Sequence, residues 1–335
     1  MERTHYRVIA VGGGPAGISL AVECIEMGIP KEDILVLEKG EVVIKAIQQF
    51  YPDKKMTLAN YKSLPTETSG HIPKFPDLTK QETVVYFQEI IDRYQFDYRL
   101  NSEVFKVVPR SDGLVSVWVN QKELTADCVA IGIGILGRPN KPEYKLPIKL
   151  RDQILFDLTS IPVKSGKILV VGGGDTSSEY CQILVQENCQ VSLCYRGTEF
   201  HRMMDVNRTA VEKLEQCKQL RVLKGTDITT IEDAGGKPKV IFKGDLPPEE
   251  FDRVIFSIGG TTPVNFLKTA GIEFDEKSWP KMGAEGQTNV PGVYLTGDLA
   301  VSKTGGSIIT AYNSCYRTAK KICEHLAARK SSRAL

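Results

Sequence analysis

Two stretches of this 335-residue chain are built alike, and that repeat restricts the fold more than any other feature. Arg7-Val-Ile-Ala-Val-Gly-Gly-Gly-Pro-Ala-Gly17 is an apolar, β-branched run that enters a glycine turn and then an amphipathic stretch. Lys167-Ile-Leu-Val-Val-Gly-Gly-Gly-Asp-Thr-Ser177 follows the same order, with Gly14 and Gly174 standing 160 residues apart. Each turn precedes a predicted helix (17–27 and 177–187) and then a short β-rich run (34–37 and 190–194). Strand, glycine turn, helix, strand is a βαβ unit. Shorter alternating strands follow in each half, over 104–108 and 114–119, then over 221–223 and 240–242, and read as β-meanders. Each series ends in an apolar strand carrying glycines, Gly132 in the first and Gly259 in the second. The predicted fold is α/β, with two Rossmann-like, doubly wound three-layer domains, each with a β-meander.

Charge removes whole classes of function. Lys and Arg number 43 against 41 Asp and Glu, so no basic excess favours nucleic acid or a membrane surface. Only four apolar residues, 8–11, precede Gly12, too few for a signal peptide. The longest uncharged stretch, 8–22, is broken by glycines and Pro15 and is shorter than the ~20 residues of a membrane span. A soluble, cytoplasmic protein is expected. Eight cysteines contain no C-x-x-C pair, and with four histidines they give no zinc pattern, so they read as buried free thiols.

The first turn, Gly12-x-Gly14-x-x-Gly17, with Pro15 and Ala16 inside it, has the glycines a dinucleotide needs. One makes the tight turn, one lets the backbone approach a pyrophosphate, and one lets helix and strand pack closely. The phosphates then lie on the free amides of the helix N-terminus. Glu38, followed by Lys39, ends the next strand 21 residues beyond Gly17, at the usual ~20-residue spacing of the acid that holds a ribose.

The second turn, Gly172-x-Gly174-x-x-Ser177, with Asp175 and Thr176 inside it, ends in a small hydroxyl residue. Its next strand closes on Cys-Tyr195-Arg196, without an acid. A carboxylate there would repel a 2′-phosphate, whereas Arg196 pairs with one, and His201 and Arg202 add charge. This half reads as the NADPH site, with Tyr195 left either to stack on adenine or to pack internally. Near the C-terminus, Gly292-Val-Tyr-Leu-Thr-Gly-Asp298 ends a strand in a carboxylate, and a helix predicted to run to about residue 328 starts in the segment after it. The start of that helix, around Ser307 and Ile308, offers free amides and positive partial charge.

In this order the motifs resemble the low-molecular-weight thioredoxin reductase-like flavoproteins, from about residue 5 to residue 328. Two branches are most alike, the flavodoxin:quinone reductases and the bacillithiol disulfide reductases. Runs carrying that likeness are Gly70-His-Ile-Pro73, Gly137-Arg-Pro-Asn-Lys-Pro142, Tyr195-Arg-Gly197 and Ser257-Ile-Gly-Gly-Thr-Thr-Pro263. The resemblance implies FAD on Gly12, Gly14, Gly17, Glu38 and Asp298, with the turn 305–308 at the flavin edge. It implies NADPH on Gly172, Gly174, Ser177 and Arg196. It also implies a discontinuous FAD domain (1–145 and 263–335), an inserted NADPH domain (146–262), and a homodimer. Tyr51 falls where the family borders the isoalloxazine, either covering the ring or lying in a plain connector.

Two departures bear on the acceptor. Thioredoxin reductases carry a C-x-x-C pair, absent here, and bacillithiol disulfide reductases carry a cysteine where this chain has Ala16. Cys315, on the helix whose start approaches the flavin, is the remaining candidate thiol, against a reading of plain core packing. The expected activity is hydride transfer from NADPH to FAD, and then electron transfer to flavodoxin, ferredoxin or a quinone. A basic run over 138–151 suits an acidic carrier or a solvated linker. The alternatives are a disulfide reductase with a relocated thiol, and a flavin-binding redox sensor with negligible turnover.

Overall fold

The computed structural model describes residues 3–51, 53, 55–59, 66–134, 139–158, 161, 163–259, 264–276, 278–301 and 306–333. Arg138, Gly137 and Gly305 from the expectations above, and the run over 260–263, lie outside these residues. The chain divides into two compact units. The first holds residues 1–48, 56–138 and 261–335; the second holds 49–55 and 139–260.

The first unit begins with β1 (His5–Val11), α1 (Pro15–Glu26) and β2 (Ile34–Leu37). There follow α2 (Lys45–Phe50), whose residues 49 and 50 count with the second unit, the two-residue strands β3 (Met56–Thr57) and β4 (Leu78–Thr79), α3 (Lys80–Tyr94) and β5 (Asp97–Arg99). The segment 45–80 is therefore more than a connector. Thr79 and Glu82 form a reciprocal capping box that starts α3. Then come β6 (Val104–Pro109), β7 (Val115–Val119) and β8 (Lys122–Ile131). The strand order is β5-β2-β1-β8-β7-β6. β8 belongs to two arrangements: its first half pairs antiparallel with β7, and its second half runs parallel to β1. All four residues of β2 are buried, as a parallel strand covered on both faces requires.

The second unit contains β9 (Ile154–Leu155), β10 (Lys167–Val171), α4 (Asp175–Gln186), β11 (Gln190–Tyr195), α5 (Asp205–Gln216) and β12 (Leu220–Lys224). β13 (Ile228–Ala234), β14 (Lys237–Phe242), β15 (Glu249–Glu250) and β16 (Arg253–Phe256) complete it. Its main sheet, β12-β11-β10-β16-β9, is parallel throughout. The meander is a separate three-stranded sheet, β13-β14-β15. Residues 221–223 are thereby corrected: they lie in β12, parallel to β11, and not in the meander. The reason is α5, because a strand reached through a helical crossover joins in parallel.

The chain then returns to the first unit through α6 (Val264–Thr269), β17 (Val293–Leu295), α7 (Asp298–Val301) and α8 (Ile308–Arg333). β17 pairs in parallel with the second half of β8. The parallel part of this sheet thus reads β5-β2-β1-β8-β17, with α1 packed against α8.

Candidate functional site

The first glycine turn leaves β1 with its backbone held on both sides. Gly12 N–H donates to the Leu37 carbonyl at 2.9 Å, and Gly132 N–H donates to Val11 at 2.8 Å. Gly12 has a φ of 107°, and a Cβ there would stand 2.6 Å from the Gly132 carbonyl oxygen. A Cβ on Gly17 would stand 2.0 Å from the Gly12 oxygen. Gly14 differs: a Cβ there would meet nothing within 4 Å, which leaves an open approach to the start of α1. Pro15 occupies the first helical position, where its missing N–H costs nothing. The first-turn amides beyond it have no partners within the helix. Gly132 and Gly297 make room for Ala16, since a Cβ on either would lie 3.3 or 2.7 Å from the Ala16 Cβ.

Glu38 is buried at the end of β2, and its two carboxylate oxygens accept from Gly13 N–H (3.0 Å) and Gly40 N–H (2.7 Å). Lys39 beside it is exposed. Tyr98 of β5, which sequence reasoning missed, donates from its hydroxyl to the Gly13 carbonyl at 2.6 Å. Burial, first, and the nearby Glu38 carboxylate raise its phenol above the usual tyrosine range. No local pattern marks it, since β5 reaches the turn only by pairing with β2.

Beside the first turn, where a Cβ on Gly297 would stand 2.7 Å from that of Ala16, Asp298 opens α7 and accepts from Gly306 N–H at 3.2 Å. Burial raises its carboxyl above the ordinary aspartate range. Ser307 precedes α8, its Oγ accepting from Thr310 N–H at 3.1 Å, so it caps the helix that Ile308 begins.

The second turn repeats the first with different chemistry. Gly172 N–H donates to Cys194 at 3.0 Å, and a Cβ on Gly172 would stand 2.3 Å from the Ser257 carbonyl oxygen. Gly174 again has open space where a Cβ would be. Ser177 turns its hydroxyl back to the Gly174 carbonyl at 2.6 Å, and Thr176 is exposed. Asp175 is buried, with its carboxylate accepting from Met204 N–H (2.7 Å) and Asn207 (3.0 Å). It therefore fastens the start of α5. The Tyr195 ring lies against Gly173 and Gly197, where added Cβ atoms would meet it at 2.2 and 2.7 Å. It stacks on Phe200 at 5.2 Å, which answers the question left open between adenine stacking and internal packing for at least one ring face. Arg196 and Arg202 are exposed, and Arg202 pairs through its backbone with Gly174. Asn140 donates from its side chain to Ile258, and its N–H donates to Gly259, which it thereby holds at the end of β16.

Tyr51 lies in the second unit, with the Lys55 ammonium 4.2 Å from its ring centroid. His71 sits in a turn, half exposed, with Nδ1 2.9 Å from the Glu23 carboxylate, which also accepts from the N–H groups of His71 and Ile72. Glu23 is fully buried in α1. Of the eight cysteines only Cys217 is exposed and Cys323 partly so. Cys315 is fully buried, 3.0 Å from the Thr296 hydroxyl and 3.1 Å from the Ala16 carbonyl, and burial pushes its thiol up to about 12. Among the described residues no cluster of His, Cys, Asp or Glu is arranged to hold a metal, and no helix is long and apolar enough to cross a membrane.

The family model for pyridine nucleotide-disulphide oxidoreductases matches residues 9–297, which takes in both glycine turns. The chain belongs to that family. A ferredoxin–NADP reductase of Geobacillus kaustophilus is 24% identical over 308 residues, covering 89% of this chain and 86% of that one. The bacilliredoxin reductase Bdr of Bacillus subtilis is 24% identical over 319 residues, covering 90% and 92%. Among solved structures, the bacillithiol disulfide reductase of Staphylococcus aureus superposes with a TM-score of 0.82 at 19% identity, covering 96% of this chain and 99% of that one. A Lactococcus lactis thioredoxin reductase gives 0.78 at 19%, with the same coverage. This member of the family has the two-domain α/β flavoprotein fold of the thioredoxin reductases. It is an NAD(P)H-dependent flavoprotein oxidoreductase that uses FAD and NADPH. Its residues fit two such cofactors: both turns leave the second glycine open, and both lead into a helix N-terminus.

Proposed function

We propose that the first unit holds FAD, the second holds NADPH, and the electrons leave for a small one-electron carrier protein of the ferredoxin or flavodoxin type, not for a disulfide. Bound FAD supplies the conversion of a two-electron hydride donor into single-electron steps; the chain binds, orients and seals. On the FAD side, Gly12, Gly14 and Gly17 would admit the pyrophosphate, Glu38 the ribose, and Asp298 with the Ser307–Ile308 helix start the flavin end. On the NADPH side, Gly172, Gly174 and Ser177 would take the pyrophosphate, with Arg196 and Arg202 on the 2′-phosphate.

The observation that carries the acceptor assignment concerns sulfur. Disulfide exchange needs an attackable thiolate, yet the fingerprint position is Ala16. Its nearest thiol, Cys315, is sealed by Thr296 and the Ala16 carbonyl. Support for a protein carrier comes from the basic run: Lys141, Lys145, Lys149 and Arg151 are all exposed, and among the described residues only Arg151 has a carboxylate partner. The name of the Geobacillus relative points the same way.

The test is steady-state NADPH oxidation by the FAD-loaded protein with ferredoxin, flavodoxin, a soluble quinone and low-molecular-weight disulfides offered in turn. Turnover with a carrier protein that survives Cys315→Ser is expected, and turnover with the quinone alone would replace the protein carrier with a small acceptor. Disulfide turnover that disappears in Cys315→Ser would replace this reading with that of a thiol-dependent reductase.

A further inference from the structure

The middle glycine of the first turn is held by side chains at both of its polar backbone groups. Gly13 N–H donates to Glu38 Oε2 at 3.0 Å, and its carbonyl accepts from the Tyr98 hydroxyl at 2.6 Å. The Ile44 backbone also acts on this phenol, lowering it against the burial that raises it. Ile44 is 1% exposed and has a φ of 45°, a left-handed conformation that a β-branched residue keeps only where its surroundings enforce it. The second Glu38 oxygen takes Gly40 N–H, and the Gly40 carbonyl accepts from Asn101 N–H at 2.8 Å. One hydroxyl and one carboxylate thus join the glycine turn, the 38–44 loop and β5. The fit is close: a Cβ on Gly13 would stand 2.3 Å from the Tyr98 oxygen and 2.6 Å from Glu38 Cβ.

The second turn has no such bond among the described residues. Tyr195 lays its ring on Gly173 but stacks on Phe200, and no carboxylate takes the Gly173 N–H. Tyr98 is therefore not a general requirement of a glycine turn.

We propose that Tyr98 is a positioning residue for the adenylate half of FAD, its hydroxyl pre-setting the Gly13 peptide, and through Glu38 the 38–44 loop, before the cofactor arrives. The inference rests on the assignment of FAD to the first unit. Pre-setting a loop lowers the ordering cost that binding must otherwise meet. Tyr98→Phe keeps the ring, and so the packing, while deleting the hydrogen bond to Gly13.

The experiment titrates the full-length apoprotein and its Tyr98→Phe variant with FAD, followed by flavin fluorescence, and separately with NADPH. Amide hydrogen exchange of the 38–48 region is read in the absence of cofactor. The FAD Kd is expected to rise about tenfold, the size of one lost hydrogen bond that leaves a buried acceptor unpaired, with faster exchange over 38–44 and an unchanged NADPH Kd. An unchanged FAD Kd would overturn the positioning role and leave the cofactor assignment standing. A common loss of FAD affinity, NADPH affinity and melting temperature would reduce Tyr98 to packing. Weakened NADPH with intact FAD would overturn the assignment of cofactors to units, and the proposal with it. Should the variant not fold, exchange in the wild-type apoprotein decides: protection over 38–44 is expected, and free exchange there overturns the proposal.

Discussion

Arg196 and Arg202 bring exposed positive charge to the second turn at a strand end where the first turn has Glu38. The two halves share the order strand, glycine turn, helix, strand and differ in the charge placed at this strand end. A guanidinium at a 2′-phosphate gives a charge-assisted hydrogen bond, which contributes about 1.5–3 kcal/mol. Arg196→Ala is therefore expected to raise the KM for NADPH roughly tenfold or more while leaving that for NADH nearly unchanged. Parallel kinetics with the two nucleotides check it, and equal effects on both would remove Arg196 from the 2′-phosphate. The places of both fingerprints after β1 and β10, of Glu38 just past β2 and of Arg196 just past β11 were legible, because the order strand, glycine turn, helix, strand is local along the chain. Tyr98 and Glu23 were not legible. Tyr98 bonds to a residue 85 positions away, and Glu23 to the 71–72 turn 48 and 49 positions on, so only strand order and helix packing bring the partners together. The carboxylate of Asp175 was visible in the motif, but its commitment to Met204 and Asn207 depends on α5, whose start no local signal fixed.

At the scale of elements, α7 and the start of α8 place a carboxylate where water is scarce. Burial raises the Asp298 carboxyl, against the lowering effect of the Gly306 N–H. The native state therefore retains a proton at pH values where the unfolded chain has already lost it. Stability of the apoprotein from this group falls as pH rises from the ordinary aspartate range to the raised value, and is level above it. Asp298→Asn should remove that slope, making the apoprotein less pH-sensitive in the mildly acidic range while weakening FAD. Urea unfolding of both apoproteins across pH 4 to 7 is the measurement, and parallel curves would show that Asp298 ionises at no cost in the fold. The sequence located the elements on either side of each turn to within about two residues, because strand, glycines and amphipathic helix change period there. It missed α3 and α5. The Thr79-x-x-Glu82 box that starts α3 was a readable signal. In contrast, α5 begins at Asp205 without a side-chain cap, and Val211 is its only buried residue, so few apolar side chains mark it. Overlooking α5 also put β12 in the wrong sheet.

At the scale of the whole molecule, a nearly neutral chain (43 basic against 41 acidic residues) exerts no broad field, so any steering of a partner must come from local patches. The 141–151 segment supplies one. Ile148 is 87% exposed, on a short 3-10 turn, with Lys145 and Lys149 exposed to either side and Lys141 just before them. An apolar knob among cations favours a partner with a hydrophobic spot inside an acidic rim. Rim charges act mainly on association rate and its salt dependence. Reversing Lys145 and Lys149 to Glu should raise the KM for an acidic ferredoxin or flavodoxin about tenfold at low salt. The difference should shrink toward 0.5 M salt, where screening is nearly complete over a few ångströms. Turnover with ferricyanide plus a neutral quinone serves as the control, because small acceptors need no docking face and should be unaffected. If the double variant reduces the carrier as well as the wild type at every salt concentration, docking lies elsewhere on the surface. If it loses quinone turnover as well, the lysines serve the reductive half of the cycle instead.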